Sequence, residues 1–284
     1  MNRREDMKHF ETDINVKTSG ASEYVARLTA YIPDDFYDDG TSKIRPAVLI
    51  MPGGGYGYTS KRESEPVAMK FISEGLCAFV LNYSVAPARF PQALCEALSA
   101  IGYIRENAAK WNIDQNKIAV CGFSAGGHLA ASVATFWKAP WIKEHMEIDY
   151  EKVKPNLLVL SYPVITSGKF AHQGSVNNLL GDNITEEMLE LISLEKQVTV
   201  DVPPTFIWHT YEDGSVSVKN TMLFAHALIE EDIPLEMHIY RRGGHGLSIG
   251  NFMVNKDMTF GEKHMSSDWI DKAIRFIFEE EIDN

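Results

Sequence analysis

The sequence predicts an α/β fold in which a doubly wound, mostly parallel sheet is covered by helices on both faces. Short apolar runs of four to six residues alternate with helical segments along the chain. Continuous apolar runs, as opposed to strict apolar–polar alternation, are typical of parallel strands buried on both faces. Regular alternation of strand and helix is the pattern of a doubly wound sheet.

Six apolar runs predict the parallel strands, and an earlier segment predicts an antiparallel one. Residues 24–32 alternate apolar and polar side chains better than the later runs, which favours an antiparallel strand. The helix predicted at 92–110 carries apolar residues at steps of four and three, a stripe that packs against the core. The other predicted helices are 66–74, 125–136, 217–231 and 264–280, and the parallel strands are 46–51, 77–81, 118–121, 157–160, 205–208 and 235–240.

The chain is predicted to form a single domain over residues 1–284, because no Gly/Ser-rich linker, internal repeat or low-complexity tract interrupts the pattern. Two excursions, 138–154 and 161–203, depart from the strand–helix alternation and are expected near the mouth of a substrate site. Thr185, followed by two glutamates, predicts the N-cap of one short helix in the second excursion. Neither excursion is long enough for a large lid domain.

Charge and cysteine content exclude several classes of protein. The chain has 39 acidic and 27 basic residues, a net charge of −12, which argues against a nucleic-acid or membrane partner because either needs a basic patch. Cys77, Cys95 and Cys121 cannot all pair and have mostly apolar neighbours, which predicts buried free thiols in a reducing compartment. Neither a secretory h-region nor a run able to span a bilayer is present, so we expect a cytoplasmic protein.

The pattern G-x-S-x-G occurs twice, around Ser124 and around Ser248. Ser124 directly follows a predicted strand and directly precedes a helix of small residues, which is the strand–turn–helix context of a nucleophile elbow. A helix that begins at such a serine also presents its first amides to a developing oxyanion. Ser248 has no strand before it and no such helix after it. Ser124 is therefore the predicted nucleophile, and Ser248 is interpreted as a loop residue whose substitution leaves activity almost unchanged.

A glycine-rich segment, residues 52–57, follows the first predicted parallel strand. Neither the dinucleotide-binding nor the P-loop pattern is present there. The segment is better interpreted as an oxyanion loop, since glycines let backbone N–H groups turn toward a carbonyl oxygen. We predict that Gly54, Gly55 and Ala125 donate to the oxyanion; the alternative is an ordinary flexible loop.

The acid and the base are predicted from their order along the chain, which in this type of site is serine, then Asp or Glu, then histidine. Asp213 follows a later strand and is the preferred acid, with the adjacent Glu212 as the alternative. His245 lies between glycines just after the last predicted strand and is the expected base, while His128 and His209 are interpreted as structural or supporting residues. No metal-ligand pattern is present, so neither a metal nor another cofactor is expected.

Together these motifs resemble α/β-hydrolases similar to acetyl esterases and acetylxylan esterases, the xylanase-associated lipase/esterase group. The resemblance runs from about residue 45 to residue 250. It departs at the acid, where relatives resemble D-D-x-x-V-P and this chain has Ser217 in place of the proline. The resemblance is carried by residues 52–56, 62–66, 82–83, 122–131, 161–165, 203–210 and 243–246.

The resemblance implies an α/β-hydrolase fold and the hydrolysis of short acyl esters, above all acetyl groups on sugars or oligosaccharides. Ser124 would attack the ester carbonyl, His245 would take its proton, and Asp213 would orient the imidazole. Tyr56, His172 and Tyr211 are expected near the mouth, where they could bind substrate. A carboxylesterase for non-carbohydrate esters is the main alternative; a serine peptidase and a non-catalytic binding protein are remote ones. The sequence leaves a homo-oligomer open.

Overall fold

Eight strands form one sheet in the computed structural model, which describes residues 7–16, 24–35, 39 and 41–279. The strand order is β1-β2-β4-β3-β5-β6-β7-β8; β1 and β2 are antiparallel to their neighbours, and the pairs from β4 through β8 are parallel. The strands are β1 (Lys8–Ile14), β2 (Ala26–Ile32), β3 (Arg45–Met51), β4 (Cys77–Asn82), β5 (Ile113–Phe123), β6 (Leu157–Ser161), β7 (Thr205–Thr210) and β8 (Leu235–Tyr240).

Helices cover both faces of this sheet and give each face its own core. Successive residues of β3 point to opposite faces, so Leu49 packs in one core and Ile50 in the other. This two-sided burial explains the continuous apolar runs, and the predicted α/β-hydrolase fold is confirmed. Helices α1 and α8 pack on one face and α2, α3 and α7 on the other. The helices are α1 (Glu65–Ser73), α2 (Gln92–Glu106), α3 (Ala125–Phe136), α4 (Tyr150–Val153), α5 (Gln173–Leu180), α6 (Glu186–Leu191), α7 (Lys219–Glu230) and α8 (Trp269–Glu279).

Several elements differ from the sequence-based expectation. Strand β1 was not predicted, because it is an edge strand whose residues alternate between half-buried and exposed. Helix α5 was also not predicted within the excursion 161–203, whereas the helix capped by Thr185 is confirmed as α6, with the Thr185 hydroxyl oxygen accepting from the Met188 N–H. Helix α8 begins five residues later than predicted, after a series of turns.

The sheet brings four loops to one edge. Because the carboxyl ends of parallel strands meet at the same edge, the loops after β3, β5, β7 and β8 converge there, carrying the glycine-rich segment, Ser124, Asp213 and His245. Helix α5 of the excursion 161–203 lies beside this edge. The excursion 138–154 does not: its helix α4 packs at the C-terminal end of α2, where Lys152 pairs with Glu106, at the opposite edge of the sheet, which corrects the expectation for this segment. Neither excursion builds a separate lid domain in the part of the chain that the structure describes. None of the helices in the described ranges combines the length and the apolar character needed to cross a membrane.

Candidate active site

Ser124 lies on a sharp turn between β5 and α3. Its φ angle is +53°, in the left-handed region that a residue with a side chain rarely adopts. The turn closes only because glycines stand on both sides: a Cβ at Gly122 would lie 2.2 Å from the Gly126 carbonyl oxygen, and one at Gly126 would lie 2.1 Å from the Met51 carbonyl oxygen. The spacing of the motif is therefore required by backbone contacts, and it places the serine hydroxyl at the wall of the cavity at the sheet edge.

Ser124, His245 and Asp213 form one chain of hydrogen bonds. His245 Nδ1 lies 2.7 Å from Asp213 Oδ2, and His245 Nε2 lies 2.8 Å from Ser124 Oγ. Since a carboxylate can only accept, Nδ1 carries the proton of the neutral ring, and Nε2 accepts from the serine hydroxyl. The Asp213 side chain is fully buried and that of His245 is 22% exposed. The imidazole is thus positioned to take the serine proton.

Asp213 is held by further donors. Its Oδ1 accepts from the N–H groups of Ser215 and Val216, each at 2.9 Å, and its Oδ2 lies 3.2 Å from His209 Nε2. Burial alone would raise the pKa of Asp213, but the hydrogen bonds from His209 and His245 outweigh it and hold this pKa well below its ordinary value. The carboxylate therefore stays ionised beside the imidazole.

The alternative acid, Glu212, has a different environment. Its Oε2 accepts a 3.4 Å hydrogen bond from the Gly243 N–H, whereas His245 Nδ1 pairs with Asp213. Glu212 is exposed, whereas Asp213 is buried. The turn after β7 directs the second of the two carboxylates inward, so the geometry favours Asp213.

The glycine-rich loop faces the serine with free backbone donors. Gly54 has a φ of +131°, and a Cβ there would lie 2.0 Å from the Tyr58 carbonyl oxygen, so only glycine fits. Within the described ranges, the Gly54 and Gly55 N–H groups have no protein acceptor. Ala125 is the first residue of α3, and an amide in a first helical turn has no acceptor inside its helix. Gly54 and Gly55 thus line the cavity beside Ser124, and Ala125 follows Ser124 directly at the start of α3.

A cavity of about 350 Å³ opens in front of Ser124 and His245. Its wall is mostly polar and comes from the glycine-rich loop, the turn before α1, helix α5 and the histidine loop. The lining side chains, apart from Ser124 and His245, are Tyr58, Ser60, Arg62, Glu63, His172, Asn178 and Ser215.

The three residues expected to bind substrate lie in three different environments. His172 lines the cavity, and its Nδ1 accepts from the Ser175 N–H at 3.2 Å, which places the proton of the neutral ring on Nε2. Burial, and then the neighbouring His245, lower the pKa of His172, which favours this neutral donor. Tyr211 does not line the cavity: it is 70% exposed, on the outer side of its turn. The expectation for Tyr211 is corrected accordingly.

Tyr56 requires a correction as well. The sequence placed it at the mouth, but its side chain is 3% exposed and packs behind the loop. Its hydroxyl donates to His128 Nδ1 at 2.9 Å, because His128 Nε2–H donates to the Ile192 carbonyl oxygen. Tyr56 follows three glycines and itself adopts a positive φ. Tyr56 therefore supports the loop from the core.

Two residues of the cavity were not assigned from sequence. Arg62 lines the cavity with its guanidinium, while Glu63 is 3% exposed and hydrogen-bonded to groups from distant parts of the chain. In the sequence, the only indication of a role for Arg62 and Glu63 is that these charged residues follow the glycine-rich loop, and this is a weak signal.

Ser248 is buried and has structural partners. Its hydroxyl donates to the Arg62 carbonyl oxygen at 2.5 Å, and its own carbonyl oxygen accepts from the Trp269 indole N–H. Gly246, Ser248 and Gly250 all adopt positive φ, so this second motif is a tightly turned loop.

The three cysteines lie outside the active-site cavity. Cys77, Cys95 and Cys121 are free and buried, as predicted, and burial raises the pKa of the Cys77 and Cys95 thiols to about 12. In the portion that the structure describes, no group of three or more His, Cys, Asp or Glu side chains is arranged to hold a metal ion.

Buried His128 makes stability depend on pH. Burial lowers its pKa to about 4, below the ordinary value of about 6.5. Between these two pH values His128 is protonated in the unfolded chain but neutral in the folded chain, so the folded state loses stability as the pH falls from about 6.5 to about 4. Glutamine can make both hydrogen bonds and does not titrate. When the pH is lowered from 7 to 5, we therefore expect the unfolding free energy of His128→Gln to fall by about 2 kcal/mol less than that of the wild type. Urea denaturation at the two pH values measures this difference. Equal losses in the two proteins would contradict it.

Comparison with solved structures defines the class of protein. An acetyl ester-xyloside bifunctional hydrolase from Caldicellulosiruptor lactoaceticus is 38% identical, with a TM-score of 0.77 over 91% of this chain and 89% of that one. A carboxylesterase from Lactobacillus plantarum is 26% identical, with a TM-score of 0.82 over 96% of this chain and 98% of that one. The fold and these matches identify the chain as an α/β-hydrolase.

The family follows from sequence comparison. The BD-FAE family model matches residues 34–228, so the chain belongs to the BD-FAE family. Among curated relatives, endo-1,4-beta-xylanase B from Butyrivibrio fibrisolvens is 39% identical over 92% of this chain and 41% of its own length. An acetylxylan esterase from Xylanibacter ruminicola is 27% identical over 74% of this chain and 43% of its own length. The chain thus spans less than half the length of these two curated relatives.

Proposed function

We propose that the protein is a serine esterase that removes short acyl groups, above all acetyl groups, from sugars or oligosaccharides. The observation that carries the proposal is the hydrogen-bonded chain from Asp213 through His245 to Ser124, which ends beside free backbone amides. A nucleophile, a base with its orienting acid, and oxyanion donors are the components that acyl transfer needs.

In the proposed mechanism Ser124 Oγ attacks the ester carbonyl carbon while His245 Nε2 takes the hydroxyl proton. The negative charge that develops on the carbonyl oxygen is stabilised by the amides of Gly54, Gly55 and Ala125. His245 then returns the proton to the leaving alcohol, and the acyl group remains on the serine. Water, deprotonated by His245, attacks the carbonyl carbon of this acyl-enzyme; the bond to Ser124 Oγ then breaks, His245 returns the proton to Oγ, and the carboxylic acid leaves.

The substrate class is supported by the cavity and by the relatives. Ser60, Asn178 and His172 offer hydrogen-bonding groups close to Ser124, as a hydroxyl-rich alcohol requires. Two of the relatives named above are an acetylxylan esterase and an acetyl ester-xyloside hydrolase. A carboxylesterase for non-carbohydrate esters is the second candidate, because the Lactobacillus plantarum neighbour is named a carboxylesterase.

Release of acetate from acetylated oligosaccharides tests the proposal. Acetylated xylo-oligosaccharides and a panel of small non-sugar acetates are incubated with the wild type and with Ser124→Ala. We expect Ser124-dependent release with a higher kcat/KM for the sugar esters. Equal or better turnover of the non-sugar acetates would favour the second candidate, and release independent of Ser124 would reject the mechanism.

Acyl-chain preference gives a further prediction. Each CH₂ group buried against an apolar wall contributes about 0.8 kcal/mol, so an apolar groove would favour long chains. The cavity wall is instead largely polar. We therefore expect kcat/KM for p-nitrophenyl esters to be highest for acetate and to fall about tenfold or more at octanoate, a difference of about 1.4 kcal/mol. A kcat/KM that rises from acetate to octanoate would indicate a lipid-type esterase.

A further inference from the structure

Glu63 is a buried carboxylate for which the proposed mechanism has no use. It ends a short 3-10 turn, Lys61–Glu63, just before α1, and its residue exposure is 3%. A buried carboxylate is costly unless its oxygens are hydrogen-bonded. Both oxygens of Glu63 are hydrogen-bonded, and their two donors come from opposite sides of the active site.

One oxygen of Glu63 reaches the glycine-rich loop. Oε2 accepts from the Gly53 N–H at 2.8 Å, immediately before the predicted oxyanion donors Gly54 and Gly55. Gly53 is confined at this point, since a Cβ there would lie 2.8 Å from Glu63 Oε2 and 2.9 Å from Ser124 Cβ. The carboxylate, the loop and the nucleophile are thus in close packing, with no room for the loop to shift toward Ser124.

The other oxygen reaches the histidine loop through Tyr162. Oε1 accepts from the Tyr162 hydroxyl at 2.7 Å, and the same hydroxyl oxygen accepts from the Ser248 N–H at 3.0 Å. The Tyr162 ring packs edge-on against the His245 ring, with centroids 5.1 Å apart. Burial, and then the Glu63 charge, raise the pKa of Tyr162 well above 10, so its hydroxyl keeps its proton and donates it to Glu63.

We propose that Glu63 is a positioning residue that fixes the oxyanion loop and the histidine loop at their working distance from Ser124. Only a carboxylate serves, because it accepts at both oxygens. A glutamine accepts at one oxygen and presents an NH₂ group at the other, where it meets either the Gly53 N–H or the Tyr162 hydroxyl. The inference rests on the proposed esterase function, since the distances that Glu63 sets matter only when Ser124 acts as nucleophile.

The test compares Glu63→Gln with Glu65→Gln, an exposed glutamate on the same segment. Assays use p-nitrophenyl acetate and a trifluoromethyl ketone, whose adduct with serine mimics the tetrahedral intermediate. We expect Glu63→Gln to lower kcat about 10- to 100-fold, to weaken the ketone by a similar factor, and to leave KM within about twofold, because positioning acts on the transition state. Glu65→Gln should match the wild type in all three quantities.

Tyr162→Phe provides a second route, and it decides the question if Glu63→Gln fails to fold. It keeps the ring against His245 and removes the hydroxyl that joins Glu63 to the Ser248 amide. We expect Tyr162→Phe to lower kcat and leave KM unchanged. The kcat of the double variant should lie within about twofold of the kcat of Glu63→Gln, because both substitutions disrupt the hydrogen bond between Tyr162 and Glu63.

Three results would overturn the inference. The first is an unchanged kcat in folded Glu63→Gln, and the second is a raised KM at unchanged kcat, which would make Glu63 a substrate ligand. The third is a lowered stability of both variants with normal kcat per folded molecule, which would make the contacts purely structural. Ser124→Ala separates this question from the proposed function: if it stays active, the function itself is wrong, whereas an inactive Ser124→Ala with a normal Glu63→Gln rejects the positioning role alone.

Discussion

Ser124→Ala is expected to lower kcat by about 10³-fold or more, as the loss of a nucleophile does in other Ser-His-Asp enzymes. The hydroxyl that accepts the acyl group is removed, while the oxyanion amides and the cavity remain. KM should change little, because the substrate contacts stay in place. Steady-state kinetics with p-nitrophenyl acetate measures both quantities.

Ser248→Ala is the matched control, since Ser248 occupies the same position in the second copy of the motif. Its hydroxyl donates to the Arg62 carbonyl oxygen, so its removal should lower the unfolding free energy by about 1 kcal/mol. We expect its kcat to stay close to that of the wild type. If Ser248→Ala were inactive and Ser124→Ala active, the assignment of the nucleophile would be reversed.

Asp213→Asn is expected to lower kcat by about 10³- to 10⁴-fold, the size of effect found for the acid in other Ser-His-Asp enzymes. Asp213 Oδ1 accepts from two backbone N–H groups, so an asparagine would keep its carbonyl oxygen there. Its NH₂ group would then face His245 Nδ1, where the ring presents its own N–H. The ring would be driven to the other tautomer, with a proton on Nε2 where the serine proton should go.

Glu212→Gln tests the alternative acid. Glu212 is exposed and accepts a long hydrogen bond from the Gly243 N–H, at 3.4 Å, so we expect kcat to stay within about threefold of the wild type. Circular dichroism and thermal unfolding of both variants establish that the active-site change, not misfolding, is measured. A large loss in Glu212→Gln together with near-normal Asp213→Asn would transfer the role to Glu212.

The sheet was predictable because its signal is local. Each parallel strand buries both faces, so its run of apolar residues stands out, as at Val48 to Ile50. Ser124 was predictable for the same reason, because the strand, turn and helix that define a nucleophile elbow are contiguous in the sequence. Strand β1 escaped because an edge strand with polar residues on its exposed positions gives no such run.

Residues that depend on long-range packing were harder to predict. Whether Tyr56 points into the cavity or the core is decided by His128, 72 positions away, and Glu63 is defined by Tyr162, 99 positions away. The choice between Glu212 and Asp213 depends on the backbone conformation of the turn after β7, which determines which of the two carboxylates is buried. Composition and spacing contain none of these contacts.

Strand β8 is the last strand at one edge of the sheet, and the loop that carries His245 follows it, so the reactivity of Ser124 depends on this edge strand. In the described sheet β8 pairs only with β7, and its residues are half-buried or exposed, whereas the strand before Ser124 lies in the centre. Strands at a border open more readily than central ones. If β8 separated from β7, His245 would lose its hydrogen bond to Ser124 and the serine would become inactive, while most of the hydrophobic core stayed folded. Enzymatic turnover would therefore report on local opening at this edge of the sheet, whereas far-UV circular dichroism would report on unfolding of the whole fold.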